Sequence, residues 1–196
     1  MVEPARANEA KYTYADMLTW PEDERWELID GVAYDMTPAP SRRHQEILGK
    51  LHLQFGDFLE NTPCRVYLAP FDVRLPNPSE NRMTATTVVQ PDLTVVCERE
   101  KLDERGCVGS PTLVVEIISP RTARKDLREK LNVYAQAGVP EYWVVFPFEK
   151  LVNIFTPDAQ GRYGAPAVYV DGEQAPVGVL PGLVIDLARV FAEPAA

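Results

Sequence analysis

The sequence predicts an α/β or α+β domain built on a mixed sheet, and three observations carry that expectation. Strand-like apolar runs alternate with helix-patterned stretches in the order βαβ…βαβ. A hairpin signal, Asp30-Gly31, sits between two alternating runs near the start, and short β segments close the chain. At 196 residues with 45% hydrophobic content, the chain suits one domain with a sizeable core. The expected boundaries are a polar lead-in over 1–11, a single domain over 12–191 and a tail over 192–196.

Thr13 is placed to cap a short helix that runs to Trp20 and stops at Pro21. The hairpin strands are expected over 25–29 and 32–36, with Trp26 and Leu28 on one face and Arg25, Glu27 and Ile29 on the other. After the loop "TPAPS", Ser41 can cap a core-packing helix in which Ile47, Leu48, Leu51, Phe55, Phe58 and Leu59 recur at helical spacing. "CRVYLAPFDVRLP" reads as one strand or a bent pair, "NPSENRMTATT" as a turn region, and "VVQPDLTVVCE" as a strand interrupted early by Pro91. A polar connection, "REKLDERGCVGSP", leads into the strand "TLVVEIIS". The next helix has Thr122 as N-cap, Gly138 just past its end and Pro140 beyond. "EYWVVFPF" and "LVNIFTP" are strands, 158–164 is a turn, and the chain ends in short β segments with a last helical turn.

Composition narrows the function. The net charge of −9 opposes a simple polyanion-binding surface, although a local basic patch or a bound divalent cation can outweigh a distant negative total. No stretch approaches the roughly 18 apolar residues of a membrane span, and "MVEPARANEA" lacks the apolar core of a secretory signal, so a soluble cytoplasmic protein is expected. Cys64, Cys97 and Cys107 form neither a CxxC pair nor an even framework. They are expected to be reduced, with neither a disulfide nor a thiolate zinc site. His44 and His52 lie eight apart, not the four of a HExxH zinc helix, and no GxGxxG or GxxxxGK loop occurs.

The informative residue is Glu116, a carboxylate inside an otherwise apolar strand. A charge taken out of water costs several kcal/mol unless it is paired, neutralised or bound to metal. Alternation puts Thr112, Val114, Glu116 and Ile118 on one face and Leu113, Val115 and Ile117 on the other. Asp92 stands at the mouth of the preceding apolar strand, so the two acids can face one cleft if those strands are neighbours. Two close carboxylates repel, and a divalent cation such as Mg²⁺ relieves that repulsion. Lys130 falls on the flank of the next helix's apolar stripe of Leu127, Leu131, Tyr134 and Ala135, from which it can snorkel outward or reach a polar pocket. Plainer readings remain open: Asp92 as a turn former after proline, and Lys130 as half of a solvated helical pair with Asp126.

"RWELIDGVAYDMTPAPSRRHQEIL", "QPDLTVV", "PTLVVEIISP", "KDLREKLNVYAQAGVPEYWVV" and "LPGLVIDL", in that order from about 12 to 191, resemble the Uma2 family of restriction-endonuclease-like proteins in the PD-(D/E)xK nuclease superfamily. The resemblance implies a restriction endonuclease-like fold, a mixed central β-sheet flanked by helices, with the metal site at one edge. It implies a Mg²⁺-dependent nuclease, with Mn²⁺ as a substitute, in which Asp92 and Glu116 hold the ion and a lysine completes the catalytic set. Two departures stand out. Ile118 occupies the usual lysine position, which makes Lys130 the first choice and Lys125 the second, and Phe146 stands where the family commonly has aspartate. Glu27 and His44 match family positions and would add a ligand or a phosphate contact; the plainer reading of each is structural. DNA is the expected substrate, with Arg42, Arg43, Arg121 and Arg124 as candidate nucleic-acid contacts. A homodimer is expected, because cutting two strands with one site per chain favours two chains. The alternatives are a catalytically degenerate module that binds nucleic acid or protein, and an RNA or small-molecule phosphodiesterase.

Overall fold

The computed structural model describes residues 4–6, 11–36, 39–119 and 126–193. β1 (Pro4–Arg6), β2 (Trp26–Ile29) and β3 (Val32–Asp35) lie antiparallel, with β3 between the other two. Asp30 and Gly31 both take positive φ, 51° and 81°, as the predicted hairpin requires. A Cβ at Gly31 would meet the Lys11 Cβ at 2.5 Å, so space as well as backbone conformation demands glycine.

Thr13 caps α1 (Tyr14–Met17) reciprocally with Asp16. The helix stops before the predicted Trp20, because Thr19 and Trp20 close onto the Asp16 and Met17 carbonyls and Trp20 packs edge-on against Tyr12 and Trp26. α2 (Arg42–Leu59) starts at the predicted cap, with Ser41 Oγ accepting from His44 N–H. Its apolar face buries Ile47, Leu48, Leu51, Phe55 and Leu59. Phe58 departs from the expected stripe: it is more than a third exposed, beside Gly182.

The remaining strands are β4 (Arg65–Leu68), β5 (Asp72–Arg74), β6 (Val88–Val89), β7 (Leu93–Val96), β8 (Leu102–Asp103), β9 (Gly106–Val108), β10 (Leu113–Ile117), β11 (Tyr142–Phe146), β12 (Leu151–Phe155), β13 (Ala167–Val170), β14 (Gln174–Pro176) and β15 (Val184–Asp186). Six of them form the mixed sheet β13-β12-β11-β10-β7-β4, in which β10 and β11 run parallel and the other pairs antiparallel. A second sheet of short strands, β1-β3-β2-β6-β5-β9-β8, and the hairpin β14-β15 complete the β structure of the described residues. The architecture is the mixed α+β, restriction endonuclease-like fold that the sequence predicts, with a second sheet added.

Alternation along β10 divides the core as expected. Leu113, Val115 and Ile117 pack with Ile47, Leu51 and Phe55 of α2. Val114 and Ile118 pack on the opposite face with Tyr134, Tyr142 and the second-sheet residues Val73 and Val89. Ile118, the position at which the resemblance leads one to expect lysine, is therefore core. A one-residue slip would merely exchange the two apolar sets but would turn Glu116 into the apolar face against α2, so the charge is what fixes this strand's register.

Beyond β10, Asp126–Lys130 winds as a π-helical turn that runs into α3 (Leu131–Gln136), where one continuous α-helix was expected. Gly138, at φ 73°, ends α3 as predicted. The predicted cap Thr122 and the candidates Arg121, Arg124 and Lys125 lie outside the described residues, as do the side chains of Asp126 and Leu127. α4 (Leu187–Phe191) closes the chain, its N-terminus capped by Asp186.

The cysteine expectation is overturned for two of the three. Cys64 and Cys97 form a disulfide, and only Cys107 is free. The β4–β7 register pairs Arg65 with Val96 and so sets Cys64 across from Cys97. That register is a long-range property invisible to cysteine counting. Burial pushes the Cys107 thiol up to about 11, so it behaves as a small core residue. The bridge spans 33 positions of sequence, and its reduction is expected to lower stability by about 3–4 kcal/mol on the chain-entropy view. Urea unfolding with and without reductant checks this, and coincident midpoints would refute it.

Candidate active site

The pairing of Leu93 with Val115 carries the β7–β10 register to the point where Asp92 stands opposite Glu116. Proline at 91 has no N–H to give a ladder, which suits the start of a strand and leaves Asp92 at its mouth. Asp92 Oδ2 accepts from the Ile117 N–H at 2.7 Å and from His44 Nε2 at 3.0 Å. Its Oδ1 takes no hydrogen bond from the described residues, and the side chain is 19% exposed. His44 Nδ1 is buried and has no partner among the described residues.

Behind Asp92 lies a buried charged cluster. Glu27, Glu116 and Lys130 are 0%, 4% and 1% exposed. Lys130 Nζ sits 2.7 Å from Glu116 Oε1 and 2.8 Å from Glu27 Oε1. Tyr134 O–H donates to Glu116 Oε1 at 2.8 Å, and the Gln90 N–H donates to Glu27 Oε1 at 2.8 Å. The solvated pair of Lys130 with Asp126 is thus excluded as the lysine's main role. The π-turn delivers Lys130 to the sheet while Tyr134, four residues on, faces the same carboxylate. Burial foremost, and the neighbouring Glu116 carboxylate next, hold the Tyr134 phenol well above its ordinary range, so it remains a donor.

Asp92, Glu116 and Lys130 line one cleft of about 300 Å³, together with Arg25, His44 and Gln90. That volume is at the small end of ligand pockets. Among the described residues, no three His, Cys, Asp or Glu side chains converge as a ready-made metal cage. The donor set nevertheless fits Mg²⁺, which is usually bound by one or two carboxylates and keeps waters and substrate phosphates as its other ligands. The uncommitted Asp92 Oδ1 is the atom best placed for it.

The structure therefore brings together Asp92, Glu116, Lys130, Glu27 and His44. Arg42 is exposed at the start of α2 and pairs with Glu46. Arg43 also lies 3.7 Å from Glu46 and donates to the carbonyls of Phe191 and Ala192 at the end of α4. Sequence reasoning gave no site role to Tyr134, Gln90 or Arg25. The signals were present: Tyr134 follows Lys130 by one helical turn, Gln90 precedes the Pro91-Asp92 pair, and Arg25 shares the strand face of Glu27.

Tyr14 and Tyr34 are pushed up to about 12, and Tyr134 and Tyr163 are also raised, in each case chiefly by burial. A phenol held above its unfolded value, near 10, contributes stability that is whole below that pH and is lost as pH rises through the folded value. Spectrophotometric titration should show these four phenols resisting ionisation at pH 11 until the chain unfolds. Ionisation of all eight tyrosines with the native circular dichroism intact would refute this.

The family model of Uma2, described as "Putative restriction endonuclease", matches residues 14–188. A protein of Synechocystis sp., slr1290, is 27% identical over 127 residues, covering 64% of this chain. The match spans 63% of that relative's length. A crystal structure from Anabaena variabilis, titled a putative nuclease belonging to DUF820, superposes with a TM-score of 0.72 at 18% identity. It covers 91% of this chain and 97% of its own, and at that identity the likeness speaks for the fold. Among the described residues, no helix is long and apolar enough to cross a membrane.

Proposed function

Since the chain belongs to the Uma2 family, a nuclease-type family matched over 14–188, we propose that it is a metal-dependent nuclease that hydrolyses phosphodiester bonds in DNA. One observation carries this reading: an acid at the mouth of β7, an acid within β10 and an amine from the following helical turn line one cleft. Mg²⁺, or Mn²⁺ in its place, held by Asp92 and Glu116 would polarise the scissile phosphate and bring the pKa of a bound water toward neutrality.

The chain's own residues supply the rest. Lys130, clamped between Glu27 and Glu116, orients the attacking water and balances the charge that grows on the phosphate oxygens. Glu27 fixes the amine, and its own position is set by the Gln90 N–H. Tyr134 holds Glu116, while the Ile117 N–H and His44 engage Oδ2 of Asp92 and so leave Oδ1 for the ion. The amine thus reaches from the helix what a lysine at position 118 would reach from the strand. Arg42, exposed at the start of α2, is the best placed of the candidate backbone contacts, and two copies of the chain would supply one site per strand.

Calorimetric titration with Mg²⁺ and Mn²⁺, followed by cleavage of supercoiled DNA, duplex and single-stranded oligonucleotides and RNA, tests the reading. Ion binding that Glu116→Gln weakens, with metal-dependent DNA cleavage, is the expected result. Ion binding with cleavage of RNA alone would move the substrate, and absence of both binding and cleavage would sink the hydrolase.

A further inference from the structure

Among the described residues that line the cleft, Arg25 is the cation that the proposed chemistry has not used. It lies just before β2, where its carbonyl accepts from the Met36 N–H at 2.7 Å, so its backbone is held by the hairpin. Its guanidinium makes two hydrogen bonds, from Nε at 3.3 Å and Nη2 at 3.1 Å, both to Gln90 Oε1. No described carboxylate pairs with it, in a chain with 29 acidic residues. A half-buried cation held by a neutral acceptor keeps its field for an incoming anion, whereas a salt bridge would have cancelled that field. The donors of the fork that Gln90 does not engage match the oxygens of a phosphate.

The support behind Arg25 is directional. Gln90 is buried, and its Nε2 donates to Asp72 Oδ1 at 2.9 Å, which fixes Oε1 toward the arginine. Asp72 Oδ2 in turn accepts from the Tyr14 O–H at 3.0 Å. A flipped amide would set its NH₂ against the guanidinium and its oxygen against a carboxylate, two repulsive contacts. Gln90 also donates its backbone N–H to Glu27, the residue that clamps Lys130. One residue therefore sets the spacing between the Lys130 amine and the Arg25 fork.

We propose that Arg25 is the receptor for a second phosphate of the substrate strand, adjacent to the scissile one, and that Gln90, backed by Asp72, is the positioning residue that holds it. This rests on the hydrolase reading above, which makes the cleft's ligand a polyphosphodiester.

The test is anisotropy binding of a labelled 20-base-pair DNA duplex with Ca²⁺ replacing Mg²⁺, across a range of salt concentrations, beside cleavage with Mg²⁺. Arg25→Ala should weaken binding roughly tenfold and lower the slope of log affinity against log salt by about 0.9, the share of one B-DNA phosphate. Arg25→Lys should restore the slope, with affinity between the two. Gln90→Leu should keep the slope, because the charge stays, but raise KM for cleavage. A merely structural role for Arg25 would not move the salt slope. Unchanged slope and affinity in Arg25→Ala, or no duplex binding by the wild type, overturns the proposal. Arg25-dependent binding without cleavage would instead sink the hydrolase and leave the phosphate receptor standing.

Discussion

Replacing Lys130 with methionine is expected to cost about 3–5 kcal/mol of folding stability, the usual penalty for stripping the partner from a buried charge. Methionine is close in length and fills the space, so the loss isolates charge from packing. Glu27 and Glu116, both almost fully buried, would face each other without the ammonium that lies 2.8 and 2.7 Å from them. The pair Glu27→Gln with Lys130→Met should recover part of the loss, because one buried carboxylate is then neutral. Urea unfolding of the single and double variants measures this coupling. A Lys130→Met variant within 1 kcal/mol of the wild type, or a double variant less stable than both singles, would show that the amine does not hold the cluster together.

Asp92→Asn should separate chemistry from architecture. Asparagine keeps an oxygen that can accept from the Ile117 N–H, so stability should change by less than about 1 kcal/mol. The negative charge that would hold the ion is gone, and cleavage is expected to fall by about 10³-fold or more. Asp92→Ala removes the acceptor as well, leaves the Ile117 N–H without its 2.7 Å partner, and should add about 1–3 kcal/mol of destabilisation. Comparable cleavage by Asp92→Asn and wild type, measured under single-turnover conditions, would remove Asp92 from the catalytic set.

What the sequence made legible was what local chemistry reports. Glu116 announced itself because a carboxylate inside "TLVVEIIS" needs a partner, and Lys130 because its helical phase put it beside the core. Asp30-Gly31, Thr13, Ser41 and Gly138 each act within a few residues, and each does what its chemistry predicts. The contacts that escaped are long-range. His44 meets Asp92 only because α2 lies across the mouth of β7, and Cys64 meets Cys97 only through the register of two strands. Gln90 escaped for a different reason. A neutral amide carries no charge signature, and its importance comes from serving Arg25, Glu27 and Asp72 at once. The second sheet was missed because strands as short as Val88–Val89 show no period to read.

The clamp around Lys130 also sets when in synthesis the cleft can form. Its parts come from positions 27, 116 and 130, so a nascent chain still short of the last of these holds two carboxylates and no amine. Residue 130 must be made, and β2, β10 and the π-turn must then be brought together across that separation, before the cleft exists. Late assembly of contacts this far apart in sequence slows folding, and the acids of the cleft wait for their amine until Lys130 arrives.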